Sequence, residues 1–258
     1  MLKKHNKKLK ISIITVTKNS EKFLKKNLSS VASQSYKNYE HIIIDGKSSD
    51  KTFDIIKKNK KKIAYYESKK DKGIYDAMNK GIKRCTGDII GILNSDDYYY
   101  KHTLKIVNKY FSENKKIDFL FGSVIKHKLL SGFYPEKILW TFGFYTSHSV
   151  GFFIRRKSQN SLGFYNLKYR YSSDYDLFYR MIVKKRFKGI ATKENEIFGV
   201  FRRGGISSKL RYLDFIIENT KIRLDNGQNF LFVYLIFLIR FIKNFKKIIF
   251  EFFTKKKI

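Results

Sequence analysis

Residues 41–52, HIIIDGKSSDKT, and 87–100, GDIIGILNSDDYYY, decide how this chain is read. Each contains a run of Ile and Leu that stops at carboxylates, Asp45 and Asp50 in the first, Asp96 and Asp97 in the second. An apolar, β-branched run ending on a carboxylate reads as a buried strand that delivers the acid to a sheet edge. In open α/β sheets, ligands bind in the crevice beyond the carboxyl ends of the strands. Two acidic ends there suit a hydroxylated ligand together with a divalent cation that holds phosphate oxygens.

Working outward, KISIITVTKNS (10–20) reads as a first strand over 11–17 running into a polar loop. Ser20 is placed to cap a helix whose Phe23, Leu24, Leu28, Val31 and Ala32 form one apolar face. A short helix near 52–58, a strand in IAYYES (63–68) and a helix in DKGIYDAMNKGI (71–82) follow, the last turning at Gly73 with Ala77, Met78 and Ile82 inward. Strands alternating with helices at this spacing predict a parallel sheet with helical crossovers. Further on, the pattern predicts a helix over 103–111, one strand over 119–124, a strand in VGFFIRR (150–156) and a helix in DYDLFYRMIVKK (174–185).

Composition narrows the class. A chain of 258 residues with 17% aromatics and a single proline can bury a full core, so it is folded and not a linker. The lone Cys85 excludes an internal disulfide framework and fits a reducing compartment. The start of the chain is basic without an apolar stretch of signal length, so secretion through a cleaved signal is not expected. The formal charge of +33 is spread along the sequence, yet its sum attracts an anionic donor and a negatively charged leaflet.

Several chemistries are absent. The loop after the first strand, TKNSEKF (17–23), has no glycine, so neither a dinucleotide fingerprint nor a phosphate loop is present. One cysteine and five scattered histidines offer no zinc spacing. No serine nucleophile elbow occurs. Carboxylates remain.

From Lys10 to Lys209 an ordered series of segments resembles the family 2 inverting glycosyltransferases: ISIITVTKNS, IIIDGKSSDKT, DKGIYDAMNKGI, GILNSDDYY and SSDYDLFYRM. The resemblance implies an α/β fold of GT-A type, a Rossmann-like nucleotide-sugar-binding domain with a mixed, mostly parallel sheet. It implies a nucleoside-diphosphate sugar donor, UDP-linked, with Asp45, Asp50, Asp71, Asn79, Asn94 and Asp96 around it. Asp45 would accept hydrogen bonds from uracil or ribose, although capping the following turn is an alternative role. Asp50 is open between nucleotide contact and capping beside Thr52. NSDD (94–97) stands at the DxD position, so Mn²⁺ or Mg²⁺ would be held by Asp96 and Asp97, Asn94 replacing the first acid. Asp174 takes the place of the general base, with Ser173 where many relatives carry Glu. Asp176 is expected to support the helix N-terminus. His148, Arg202 and Arg203 are expected near the acceptor or diphosphate, with Gly204 and Gly205 as a hinge.

The expected organisation is a basic leader over 1–9, a GT-A domain over 10–227 and a C-terminal helix over 228–258. Within the domain, the donor half covers about 10–100 and the acceptor half about 101–209. In FLFVYLIFLIRFIKNFKKIIFEFF (230–253) the apolar run is ten residues before Arg240, short of the ~20 that span a bilayer. It suits a helix lying on an anionic membrane surface, or one packed against protein. The implied activity is transfer of a hexosyl or N-acetylhexosaminyl group to a saccharide or polyprenyl-linked acceptor in bacterial cell-surface glycan synthesis, at the inner face of the cytoplasmic membrane. Two other classes compete, a basic nucleic-acid-binding protein and an inactive scaffold of the same fold. Nucleic acid is not expected, because the aromatics sit at core spacing and no binding module is recognised.

Overall fold

The computed structural model describes residues 8–141, 143–202, 204 and 210–254. The first half alternates strand and helix: β1 (Ile11–Thr17), α1 (Leu24–Ala32), β2 (Tyr39–Asp45), α2 (Thr52–Lys58), β3 (Tyr65–Ser68), α3 (Ile74–Arg84) and β4 (Ile89–Ile92). Next come β5 (Tyr98–Tyr99), α4 (Thr103–Glu113), β6 (Phe119–Phe121), β7 (Ser123–Ile125), β8 (Leu129–Leu130), β9 (Phe152–Arg155) and α5 (Arg156–Leu162). The chain continues through α6 (Ser173–Tyr179), β10 (Gly189–Ala191), β11 (Ile197–Val200), α7 (Tyr212–Asp225), α8 (Phe230–Lys243) and α9 (Phe245–Thr254).

Among the described residues the main sheet has the order β10-β6-β9-β4-β1-β2-β3. Strands β4, β1, β2 and β3 run parallel, β10 runs parallel to β6, and β9 lies antiparallel to both β4 and β6. This is the expected mixed, mostly parallel sheet. The period-two alternation sends Ile14 and Val16 to one face, with Ala77, Met78 and Ile82 of α3. It sends Ile11 and Ile13 to the other, with Leu104, Val107 and Phe111 of α4. Every residue of β1 is buried, as a strand with both faces covered must be.

The expected strand over 119–124 is two strands in two sheets. The break is Gly122, where a Cβ would lie 2.2 Å from the Phe198 ring. Its N–H goes to the Gly151 carbonyl at 2.8 Å and leaves the ladder. Strand β7 joins a small sheet of order β5-β11-β7-β8. That sheet fixes the acidic turn after β4 on one side and the end of β11 on the other.

Two helices also depart from expectation. Ser20 does not cap α1, which begins at Leu24 without a side-chain cap. Its hydroxyl turns instead toward Ser95, at 2.8 Å. The C-terminal stretch is two helices, broken at Asn244, whose side chain donates to the Tyr212 hydroxyl at 3.1 Å. Arg240 turns inward and donates to the Trp140 carbonyl. Glu251 is buried and accepts the Tyr212 N–H at the start of α7. Leu231, Ile242, Phe252 and Phe253 on the outer side are 70–81% exposed. Among the described residues, no helix is long and apolar enough to cross a membrane.

Candidate active site

Thr17, Asp45 and Ser68 stand in line across β1, β2 and β3 at their carboxyl ends. Asp45 is fully buried. It accepts hydrogen bonds from the Ser48 N–H at 3.1 Å, the Ser48 hydroxyl, and the Ser68 hydroxyl at 2.5 Å. These contacts fill the turn-capping role that the sequence held open for Asp45 beside the donor contact. Lys47 has φ +57, a left-handed conformation that explains why a small residue suits this loop. Asp50 resolves toward the capping role: it accepts the Thr52 N–H at 2.9 Å and the Glu21 N–H at 3.1 Å.

Asp71 is the acid that remains accessible on this side. Its Oδ1 accepts the Gly73 N–H at 3.0 Å, while Oδ2 lies 2.4 Å from where a Cβ on Gly46 would be. Only glycine at 46 leaves room for that carboxylate. Asn79, by contrast, is committed at both ends of its amide, donating to the Tyr165 carbonyl and accepting the Tyr165 N–H, each at 2.9 Å. It locks α3 to the segment after α5.

The acidic turn after β4 separates its two aspartates. Asp97 is buried, with Oδ2 accepting from the Ser149 hydroxyl at 2.5 Å and Oδ1 from the Arg202 N–H at 2.7 Å. Burial, then the neighbouring Asp96, push its carboxyl up to about 7 against those two hydrogen bonds. Each oxygen thus takes one short hydrogen bond, and Asp97 buttresses the turn. Asp96 receives no hydrogen bond from another residue among those described. Burial raises its carboxyl above the usual range, and the nearby Arg202 opposes this. The Asn94 Oδ1 is buried without a hydrogen-bond partner.

An orphaned amide oxygen two residues from an unpaired carboxylate fits a hard divalent cation, which takes oxygen ligands. Among the described residues no cluster of three or more His, Cys, Asp or Glu side chains is poised for metal. Protein oxygens from Asn94 and Asp96 alone would leave most positions to phosphate and water, the usual arrangement for Mg²⁺ with a nucleotide.

Residues that the sequence did not single out hold this turn. Asn27, buried on α1, donates to the Asn94 carbonyl at 2.9 Å and the Asp97 carbonyl at 3.0 Å. The Ser149 hydroxyl also accepts the Asn94 N–H at 2.9 Å. Beside it Val150 has φ +71, a strained conformation for a β-branched residue that costs about 1–3 kcal/mol. Such partners lie 52–70 residues apart in sequence and carry no local signal. Arg202 is exposed, with its guanidinium 3.7 Å from the centroid of Phe23, a perch beside Asp96. Arg203 and Gly205 lie outside the described residues.

Asp174 opens α6 and is half-buried. Its Oδ1 accepts from the Tyr75 hydroxyl at 3.0 Å and from the Tyr175 N–H at 2.9 Å. The preceding turn is held by Glu218 of α7, which accepts the Arg170 N–H at 2.5 Å and the Tyr171 N–H at 2.8 Å. Asp176 faces away into a salt bridge with Arg180 at 2.9 Å and accepts from Asn226 at 3.0 Å. It braces α6 against α7 rather than acting on the helix N-terminus alone. His148 is buried, and burial lowers its basicity, so the ring is neutral. It shares a 2.5 Å hydrogen bond with the Tyr165 hydroxyl, whose proton burial retains. The His148 Nε2 is thus engaged within the core and not with Asp96 or Arg202.

The described residues thus combine a mixed sheet with acidic strand ends, a carboxylate without a hydrogen-bond partner on another residue beside an arginine, and a separate carboxylate in the first turn of a helix. The profile of glycosyl transferase family 2 matches residues 12–187, and the chain belongs to that family. A PGL/p-HBAD biosynthesis glycosyltransferase of Mycobacterium tuberculosis is 32% identical over 173 residues, covering 64% of this chain and 66% of its own. The chain thus spans just under two thirds of that relative. A second relative, from Methanococcus voltae, is 37% identical over 127 residues, 45% of this chain and 39% of its own. It is named dolichyl N-acetyl-alpha-D-glucosaminyl phosphate 3-beta-D-2,3-diacetamido-2,3-dideoxy-beta-D-glucuronosyltransferase. Among solved structures, S. aureus TarS in complex with UDP-GlcNAc superposes with TM-score 0.67 at 19% identity, over 91% of this chain and 73% of TarS 1–349. The mannosyltransferase PcManGT of Pyrobaculum calidifontis, with GDP-Man and Mn²⁺, gives TM-score 0.67 at 14% identity over 93% and 72%. The chain has the GT-A fold of these structures.

Proposed function

We propose that this glycosyltransferase is metal-dependent and inverting, moving a hexosyl or N-acetylhexosaminyl group from a UDP-sugar to a saccharide or polyprenyl-linked acceptor in surface-glycan synthesis. The observation that carries the reading is the unpaired Asp96 carboxylate beside the orphaned Asn94 Oδ1 and the exposed Arg202. A bound Mn²⁺ or Mg²⁺ supplies charge neutralisation to the leaving diphosphate. Asn94 and Asp96 hold it, and Arg202 adds a positive charge for the phosphate oxygens. Asp71, beside Gly46, takes the nucleoside side of the donor.

Asp174 acts on the acceptor. Its free oxygen takes the proton of an acceptor hydroxyl while that oxygen bonds to the anomeric carbon. The bond from that carbon to the phosphate oxygen breaks on the opposite face, and its electron pair leaves on the diphosphate. One displacement inverts the anomeric configuration. The UDP donor is supported by a fold shared with TarS, solved with UDP-GlcNAc, and a lipid-linked acceptor by the dolichyl name of the M. voltae relative.

The apolar outer side of α8 and α9, on a stretch that also carries the exposed Lys243 and Lys246, supports docking on an anionic membrane surface at the cytoplasmic side. The test is a panel of UDP-, GDP- and dTDP-sugars, scored first for Mn²⁺-dependent thermal stabilisation and then for transfer, with the product anomer read by NMR. An inverted product from a UDP-sugar is expected. A retained anomer, or stabilisation independent of metal, contradicts the reading.

A further inference from the structure

Tyr75 lies in the first turn of α3, just past the Asp71–Gly73 turn that the donor reading uses. It is 9% exposed and its ring stacks on Tyr165, centroids 5.5 Å apart. Tyr165 is itself fixed by His148. The ring of Tyr75 therefore has no freedom to swing. Burial, reinforced by the Asp174 charge, keeps its hydroxyl protonated well beyond the ordinary range of a phenol. That single proton faces two acceptors, the Tyr171 carbonyl at 2.9 Å and the Asp174 Oδ1 at 3.0 Å. The Tyr175 N–H approaches the same Oδ1 at 2.9 Å. No residue among those described donates to Oδ2.

We propose that Tyr75 is the positioning residue of the base: it pins Oδ1 of Asp174, makes Oδ2 the oxygen that receives the acceptor's proton, and ties that orientation to the donor-side helix. The inference rests on Asp174 being the base. Rotation about the terminal torsion of Asp174 would forfeit the Tyr175 N–H and the share of the Tyr75 proton that Oδ1 holds, so the free oxygen keeps one direction. General-base transfer depends on that direction, because the proton moves only across a hydrogen-bond distance. The link also explains why a tyrosine, and not a smaller apolar residue, sits on an otherwise hydrophobic face of α3. The contact joins residues 99 apart in sequence, across the division between donor and acceptor halves.

The experiment compares Tyr75→Phe and Asp174→Asn with wild type, measuring donor Kd, donor KM and kcat on the same preparations. Phe keeps the stacked ring and removes only the hydroxyl. Tyr75→Phe is expected to keep donor Kd and KM within about twofold and to lower kcat about tenfold. Asp174→Asn should also keep donor Kd and lose more of kcat. If Tyr75→Phe turns over at the wild-type rate while Asp174→Asn is inactive, the base stands and the positioning role is overturned. If Asp174→Asn itself transfers at the wild-type rate, the base assignment fails first. Parallel losses of donor Kd and kcat in Tyr75→Phe mark a merely structural hydroxyl and also overturn the proposal. Should Phe destabilise the fold, 3,5-difluorotyrosine at 75 keeps shape and hydroxyl while changing its acidity. An altered kcat with unchanged donor Kd then supports the proposal, and an unchanged kcat overturns it.

Discussion

The donor side and the base side of this site are built by different means. On the donor side, acids follow the ends of β2 and β4, parallel strands on either side of β1, and the sheet itself fixes their spacing, with Thr17, Asp45 and Ser68 on one register line. On the base side, Asp174 begins a seven-residue helix that sits in no sheet. Its place is set by Tyr75 from α3, Glu218 from α7 and the Asp176–Asn226 contact. The first arrangement is rigid by topology. The second is rigid only while distant elements hold it, so substitutions far from the base should reach it.

The largest expected effect is on the donor side. Asp96→Ala should remove Mn²⁺-dependent donor binding and lower kcat/KM by about 10³, with little change in stability, since no other described residue donates a hydrogen bond to this acid. Isothermal titration with UDP-sugar and Mn²⁺ checks it. Normal donor binding in the variant would return the metal to Asp97. Next in size is the membrane face. Replacing Lys243 and Lys246 together by Glu should weaken flotation with anionic vesicles by about 30-fold, at ~1 kcal/mol for each lysine removed. Full-length protein that ignores such vesicles favours a protein partner for α8 and α9.

Glu218→Ala tests the distant hold on the base. It frees the Arg170 and Tyr171 N–H groups, and kcat should fall about tenfold while donor Kd stays, a split opposite to that of Asp96→Ala. Equal losses in both quantities would erase the distinction between the two sides.

The smallest effect concerns acid stability on β2. Burial drops His41 from 6.5 to about 3, so the folded chain resists a proton that the unfolded chain accepts. Burial works against ionisation of Glu40 as well, but Lys10, Ser12 and Thr86 outweigh it and hold the carboxyl at about 2 instead of 4.5. Both folded values are depressed. Each contribution is thus present above the unfolded pKa and lost as pH falls toward the folded one. The raised Asp97 carboxyl acts in the opposite sense between about pH 7 and 4, so wild type alone does not isolate the His41 loss. The advantage of wild type over Glu40→Gln in urea midpoint should shrink as pH falls from about 4.5 toward 2, and an advantage that stays constant there contradicts the assignment.

The same contrast explains what could be read from the sequence. Runs such as IIIDG and IIGILN announce buried strands because burial on both faces demands continuous apolar residues. The order of the acidic ends then gave the fold. Which acids remain available was not legible. Asp45 and Asp97 look like Asp71 and Asp96 in sequence, and only Ser48, Ser68, Ser149 and the Arg202 N–H distinguish them. His148 was hidden likewise, its partner Tyr165 being 17 residues away. The split at Gly122 required the ring of Phe198, and the break at Asn244 required Tyr212. Periodicity reports burial, whereas hydrogen-bond partners across the fold leave no periodic trace.

Single-turnover transfer by Asp174→Asn, with donor binding measured on the same sample, tests the division of labour most directly. Donor binding at the wild-type level and transfer slowed by at least ~10² is the predicted result. Transfer at the wild-type rate would contradict it, and would mean that the base is not the carboxylate at the start of α6.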